Sequence, residues 1–376
     1  MVKLGITDWM REDIERRKDL HRRLWAGLPV ERIPVDVRIG MPSEFNTQEQ
    51  FKDGDKQLDA ALKSAMATWE MVPSSDTVPG MRPDVGCSCI ASAFGAEYHW
   101  ADDPNQTPGM LGHLITDIES QVDSLPQPDP YTDGWLPEGI RRIKMFAEAG
   151  EGFLPVSLLD AAGGVNVASD MMGMTELLMA MYTAPEAVHK LLAKIQILYA
   201  ATIRAGIDAA GGEQNIATTD FPDHWFPEGF KGHVSDDISA SFGPDTYAEF
   251  SAPYHAMIFK EFGCGGLHNC GPNPCHAAYV AHEFSPRCID LSDAYSHDDL
   301  PKFKESLKGK AFIHLSWTGN KEPVEWYREI MELMVPDVIV LPCFGFGPED
   351  GAEEICRKLQ VIAKEYADRM QWGWIK

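Results

Sequence analysis

The residues best suited to chemistry are His268 and Cys270, close together in GCGGLHNCG (263–271), and Cys343, which ends DVIVLPC (337–343). One imidazole and two thiolates form a catalytic zinc set, three protein ligands that leave the fourth position open. Strand side chains alternate between faces, so a His-x-Cys pair at a strand end presents both groups to one ion. Zn2+ with two thiolates and a neutral imidazole is formally neutral and therefore a mild Lewis acid. An incoming thiolate makes that cluster anionic, which keeps the sulfur electron-rich while the ion holds it deprotonated at neutral pH. Such a centre favours attack of sulfur on an alkyl carbon. Activation of water is the competing use of zinc and prefers nitrogen and oxygen ligands. The C-x-x-C spacing of zinc deaminases is absent.

Other polar residues also close apolar runs, namely Asp160, Asp220, Asp290, Asp293 and Trp317. Asp220 and His224 lie in TTDFPDHWFPEGF (218–230), where an acid, an imidazole and several aromatic rings share one loop. That loop either lines a pocket above the active face or caps the barrel. In the first case Asp220 or His224 is placed to donate a proton to a leaving group. The remaining cysteines lack paired metal-binding spacing, and core packing accounts for them.

The elements that must carry these groups follow from periodicity. Ile14, Leu20, Leu24 and Leu28 recur at helical spacing and predict an N-terminal helix ending at Gly27 or Pro29. IPVDVRIG (33–40) reads as a strand. From 41 to about 150 the chain is rich in turn formers and predicts loops and short helices. Thereafter short apolar runs alternate with helical patterns, as in repeated βα units. The strands are FLPVSLLDA (153–161), QNIATTDF (214–221), the centre of GCGGLHNCG, RCIDLSDA (287–294), AFIHLSW (311–317) and DVIVLPC. Helices are expected at 185–207, 244–262, 298–308, 322–334 and 349–370. The economical closure is an α/β (β/α)8 TIM barrel, read as a single domain over 1–376, with catalytic groups at the C-terminal strand ends. An open doubly wound sheet is disfavoured because no Gly-x-Gly-x-x-Gly turn follows an early strand.

The chain has 376 residues, 44% of them hydrophobic and 24% charged, a globular composition. With 33 basic and 57 acidic residues its formal charge is -24, which repels phosphate backbones and anionic lipid. No apolar run is long enough for a membrane span, and the start carries no export signal, so a reducing, cytoplasmic setting is expected.

Several stretches resemble the uroporphyrinogen decarboxylase superfamily and, within it, the zinc-dependent, corrinoid-linked methyltransferases of the methylcobalamin:coenzyme M type. They are ASDMMGMTELLMAMYTAPEAVHKLL (168–192), DDISASFGPDTYAEFSAPYHAMIF (236–259), GGLHNCGPN (265–273), CIDLSDAYSHDDLPKFKESLKGK (288–310) and VIVLPCFGFGPEDGAEEI (338–355). The resemblance implies a TIM barrel, zinc held by His268, Cys270 and Cys343, and a fourth position occupied by Asp293 or Asp290 until substrate displaces it. It further implies methyl transfer with a corrinoid (cobalamin) carried by a separate corrinoid-binding protein, and a small thiol, methoxy or methylamine compound as the other partner. VDVRIGMPSEFN stands where the decarboxylases keep an arginine-rich segment for porphyrin carboxylates, which argues against porphyrin as substrate. The alternatives are a metal-independent decarboxylase using Asp220 or Asp160, and a binding protein that keeps the barrel without turnover.

Overall fold

The computed structural model describes residues 4–220 and 224–373. Its centre is a parallel sheet of six strands: β1 (Asp36–Ile39), β2 (His233–Ser235), β3 (Gly266–Asn269), β4 (Cys288–Ser292), β5 (Phe312–Ser316) and β6 (Val340–Phe346). Their order is β1-β6-β5-β4-β3-β2, so the first strand pairs with the last, as a closing barrel requires. Between β1 and β2 the wall runs through single parallel bridges, Met81 to Val156 and Val156 to Ile216. FLPVSLLDA and QNIATTDF thus contribute bridges through Val156 and Ile216 rather than the full strands their composition predicts. On the other side of β1, Asp76 N–H donates to Val35 O, and Val37 N–H donates to the Ser75 and Thr77 hydroxyls. The architecture is the expected α/β TIM barrel with an N-terminal helix.

The helices follow their sequence signals. α1 (Asp8–Trp25) is capped by the Thr7 hydroxyl, which accepts from Met10 N–H, and buries Ile14, Leu20, Leu24 and Trp25. α2 (Gly54–Met71) and α3 (Leu136–Ala149) occupy the stretch expected to hold only loops and short helices. α4 (Pro185–Ala209) opens on a proline, whose absent N–H costs nothing in a first turn, and buries Val188, Leu191, Leu192, Ile195, Leu198 and Tyr199. The helix expected over 244–262 is two, Pro244–Phe250 and Ala252–Phe262. Pro253 cannot donate to a preceding turn, so the first helix ends before it. α5 (Pro323–Met334) and α6 (Ala352–Arg369) complete the outer layer.

The loop after Asp220 closes the end of the barrel opposite to the one its position suggests. Phe226 is fully buried, 4.6 Å from the Trp25 ring and 5.7 Å from that of His233. Trp25 in turn meets Phe312, the first residue of β5, edge to face at 4.9 Å. A Cβ on Gly266, the first residue of β3, would come within 3.0 Å of the Phe226 ring. Phe226 and Trp25 therefore plug the N-terminal strand ends, the stable face of such a barrel. Of this loop, residues 221–223 lie outside the described residues.

Register decides what the barrel encloses. His233 pairs with Gly266, His268 with Asp290, Asp290 with His314, and Cys343 with both Ser316 and Asp36. Partners directly opposite in a sheet share a face, as do residues two apart along a strand. All of these side chains consequently face the same way. In a layer usually filled by Val, Ile and Leu, this chain puts three imidazoles, two carboxylates and a thiol.

Candidate metal centre

These polar side chains gather into two groups whose ligand atoms lie within 4.8 Å of one another. The first, at the C-terminal rim, is Asp237, His268 and Cys270. His268 Nδ1 lies 2.6 Å from Asp290 Oδ2, which fixes that nitrogen as the donor and leaves Nε2 with its lone pair. Nε2 sits 3.7 Å from Asp237 Oδ1, and the same oxygen accepts from Cys270 N–H at 2.9 Å and Cys270 Sγ–H at 3.1 Å. A carboxylate holding the far nitrogen of a ligating histidine is the usual support of a metal site. Burial works against a charged His268, but the Asp290 carboxylate overrides it and raises the imidazole pKa well above its ordinary value. Burial would raise Asp290 too, and the charge of His268 instead holds it well below the carboxylate range. Here a proton stands where a divalent ion bonded to Nε2 would stand.

A hydrogen-bond chain fixes the loop carrying Cys270. Asn269 Nδ2 donates to Ser239 Oγ and Tyr279 OH at 3.1 Å each, and Gly271 N–H returns to Asn269 Oδ1 at 2.8 Å. Tyr279 OH donates to Asn273 Oδ1, whose Nδ2 reaches Ser296 Oγ. Above the rim group opens a cavity of about 420 Å³, lined by Asp160, Asn166, Asp170, Asp237 and His268 among others. Burial raises the pKa of both Asp160, where Arg82 opposes it, and Asp170.

The second group lies inside the barrel and consists of Asp36, His224, His314 and Cys343. His224 rises from the plug, with Nε2 3.4 Å from Cys343 Sγ and its ring centroid 3.7 Å from that of His314. Its Nδ1 is 2.9 Å from Asp36 Oδ2, with Arg38 Nη2 at 2.8 Å. Nε2 faces the thiol. Burial would raise the Asp36 pKa, and the hydrogen bond and charge of His224 pull it far below the usual range. Burial, then the neighbouring His224, lowers His314 and keeps it neutral. Burial, then Asp36, pushes the Cys343 thiol well up.

The set expected to share one ion is thus divided. His268 and Cys270 come together, but Cys343 stands with Asp36, His224 and His314. β6 is three strands from β3, about 14 Å around the wall at the ordinary strand spacing. Cys343 also pairs one residue pair above the row that holds His268. The expected proton-donor role of Asp220 does not fit its surroundings. It is wholly buried, accepts from Tyr199 OH at 2.8 Å and Ala161 N–H at 3.1 Å, and so ties α4 to the wall. Asp293 stands in neither group: it is buried, Oδ1 lies 2.8 Å from His297 Nδ1, and Oδ2 accepts from Asn320. The alternative, Asp290, orients His268 instead. Asp237, Asp36 and His314 were not singled out from the sequence. The last two were detectable as polar residues inside the apolar runs IPVDVRIG and AFIHLSW.

The family profile described as uroporphyrinogen decarboxylase (URO-D) matches residues 17–283. No curated protein matches the chain by sequence. Among solved structures, one titled "methyltransferase from Methanosarcina mazei" superposes with a TM-score of 0.65 at 16% identity, covering 92% of this chain and 98% of that one. At that identity the likeness establishes a shared fold. With most of its length matched by the family profile, the chain belongs to the uroporphyrinogen decarboxylase family.

Proposed function

We propose that this protein is a zinc-dependent methyltransferase that moves a methyl group between a corrinoid, carried by a separate corrinoid-binding protein, and a small thiol, methoxy or methylamine compound. The observation that carries the reading is the rim group, with Cys270 Sγ and His268 Nε2 converging beside Asp237 under an open cavity. The name of the similar solved structure favours methyl transfer over decarboxylation. Of the two acids a metal-free decarboxylase would use, Asp220 is shut in by Tyr199 and Ala161, and Asp160 lines the cavity but accepts from Arg82 at 3.3 Å.

Cys270, His268 and Asp237 supply one sulfur, one nitrogen and one oxygen, a set suited to zinc with an open position. When bound there, the ion holds a substrate thiol as thiolate at neutral pH, or polarises the heteroatom of a methoxy or amine donor. Asp290 keeps His268 in the ligating tautomer, and the Asn269 chain holds the Cys270 loop in place. Asp170, on the cavity wall, where burial raises its carboxyl pKa, is the acid placed to protonate a leaving oxygen or nitrogen. In the thiol direction sulfur bonds to the methyl carbon, the carbon–cobalt bond breaks with its electron pair left on cobalt, and a thioether and cob(I)alamin result.

Zinc-loaded protein mixed with methylcob(III)alamin and a panel of small thiols should consume the methyl–cobalt absorbance, and with cob(I)alamin and methoxy or methylamine donors it should restore it. Cys270→Ser should lose about 100-fold or more of the active partner's rate. Full turnover after exhaustive chelation would overturn the reading.

A further inference from the structure

The interior group is not used by the methyl-transfer reading, yet it has the makings of a site in its own right. Its members come from four separate places: β1 (Asp36), β5 (His314), β6 (Cys343) and the plug loop (His224). Asp36 and His314 are 4% and 2% exposed. Among the described residues, Asp36 Oδ1 and both nitrogens of His314 have no hydrogen-bond partner. Buried polar atoms are almost always paired, so an unpartnered carboxylate oxygen and an unpartnered imidazole in one cluster call for an explanation. Packing does not provide it, because an apolar side chain of similar size would fill the same volume without the desolvation.

We propose that Asp36, His224, His314 and Cys343 form a second, interior site for a divalent transition-metal ion of the zinc class, separate from the rim group. Asp36 Oδ2 contacts His224 Nδ1, a contact that ligation of one ion by both residues would replace, and Asp36 Oδ1 has no partner. His224 Nε2 lies 3.4 Å from Cys343 Sγ. Neighbouring ligands of a tetrahedral zinc ion are separated by about 3.3–3.7 Å, from bond lengths near 2.0–2.3 Å. Two neutral imidazoles, one carboxylate and one thiolate balance the charge of the ion, which suits a site without water. Nitrogen and sulfur donors select zinc, cobalt or copper over magnesium or calcium. Four protein ligands, with Phe226 closing the barrel below, make the ion structural: it ties the plug loop to the adjacent strands β1, β6 and β5.

Metal-free full-length protein, prepared under reducing conditions and titrated with Co2+, tests this through the sulfur-to-cobalt charge-transfer band. Two ions per chain are expected, each contributing to the band. Cys270→Ser should remove one and keep the other. Cys343→Ser and, independently, His314→Gln should each remove the other and keep the rim ion, with circular dichroism confirming that both variants are folded. A single ion per chain in the wild type, lost in both Cys270→Ser and Cys343→Ser, would overturn the proposal in favour of one shared ion. The wild-type stoichiometry decides even if a variant fails to fold. The proposal does not rest on methyl transfer: two ions without turnover would sink that reading and leave this one.

Discussion

Asp290 makes no bond to substrate or ion, yet the tautomer of His268 depends on it through a 2.6 Å contact. Asp290→Asn keeps the shape but removes the charge that holds Nδ1–H, and metal affinity at the rim should fall about 10–100-fold, the range for lost support of a ligating histidine. Competition with a chromophoric chelator measures it, and an unchanged affinity would show that His268 needs no such support. Legibility at this scale was uneven. His268 and Cys270 were readable because a period-two pair closing a strand needs no long-range information. Asp237 was not, because it follows a strand of only three residues in HVSDD, too short for any alternation to declare itself. Cys343 was read as sharing an ion with His268 and Cys270, whereas it stands with Asp36, His224 and His314. A sequence does not state register, and the pairing of Cys343 with Asp36 is purely a matter of register.

The plug is the element on which the interior depends. Phe226 contributes a wholly buried ring against Trp25 and His233, so Phe226→Ala should cost about 3–5 kcal/mol, read from denaturant unfolding. A cost under 1 kcal/mol would mean that the loop is merely laid over the barrel. The same loop is anchored by Lys231, whose Nζ lies within hydrogen-bond reach of the carbonyls of Ile216, Ala217 and Phe226 and 4.8 Å from the centre of the Trp225 ring. Burial lowers the Lys231 pKa from 10.5 to about 7. Between those values the unfolded chain binds the extra proton, so the Lys231 contribution to stability rises with pH across that window. The Tm of wild type minus that of Lys231→Met should therefore grow from about pH 7 to pH 10. A flat or falling difference would refute a buried, neutral amine. The aromatic content of TTDFPDHWFPEGF made this loop conspicuous in the sequence, but nothing in it states which end of the barrel it closes. That follows from Trp25, which α1 brings under β5. β2 went unrecognised for a related reason, since its three residues follow glycine and become a strand only by pairing with β3.

At the scale of the whole molecule, the barrel was legible because parallel βα units repeat from residue 150 onward, and a parallel sheet with helices outside has few ways to close. Beyond β1, the segments before 150 were harder to read, as they contribute a single bridge at Met81 and long covering helices. Closure brings β1 beside β6 and makes neighbours of residues 36 and 343. Metal bound at either group stabilises only the folded chain, so chelation should lower Tm, with about 2.7 kcal/mol at stake per ion held at 100 times its Kd. A Tm indifferent to chelator would mean that neither group holds an ion. The central claim is that the two thiols serve different ions. X-ray absorption at the zinc edge of the fully loaded protein tests it most directly: one sulfur per zinc, with nitrogen and oxygen completing the shell, is the result predicted, and two sulfurs on each zinc would contradict it.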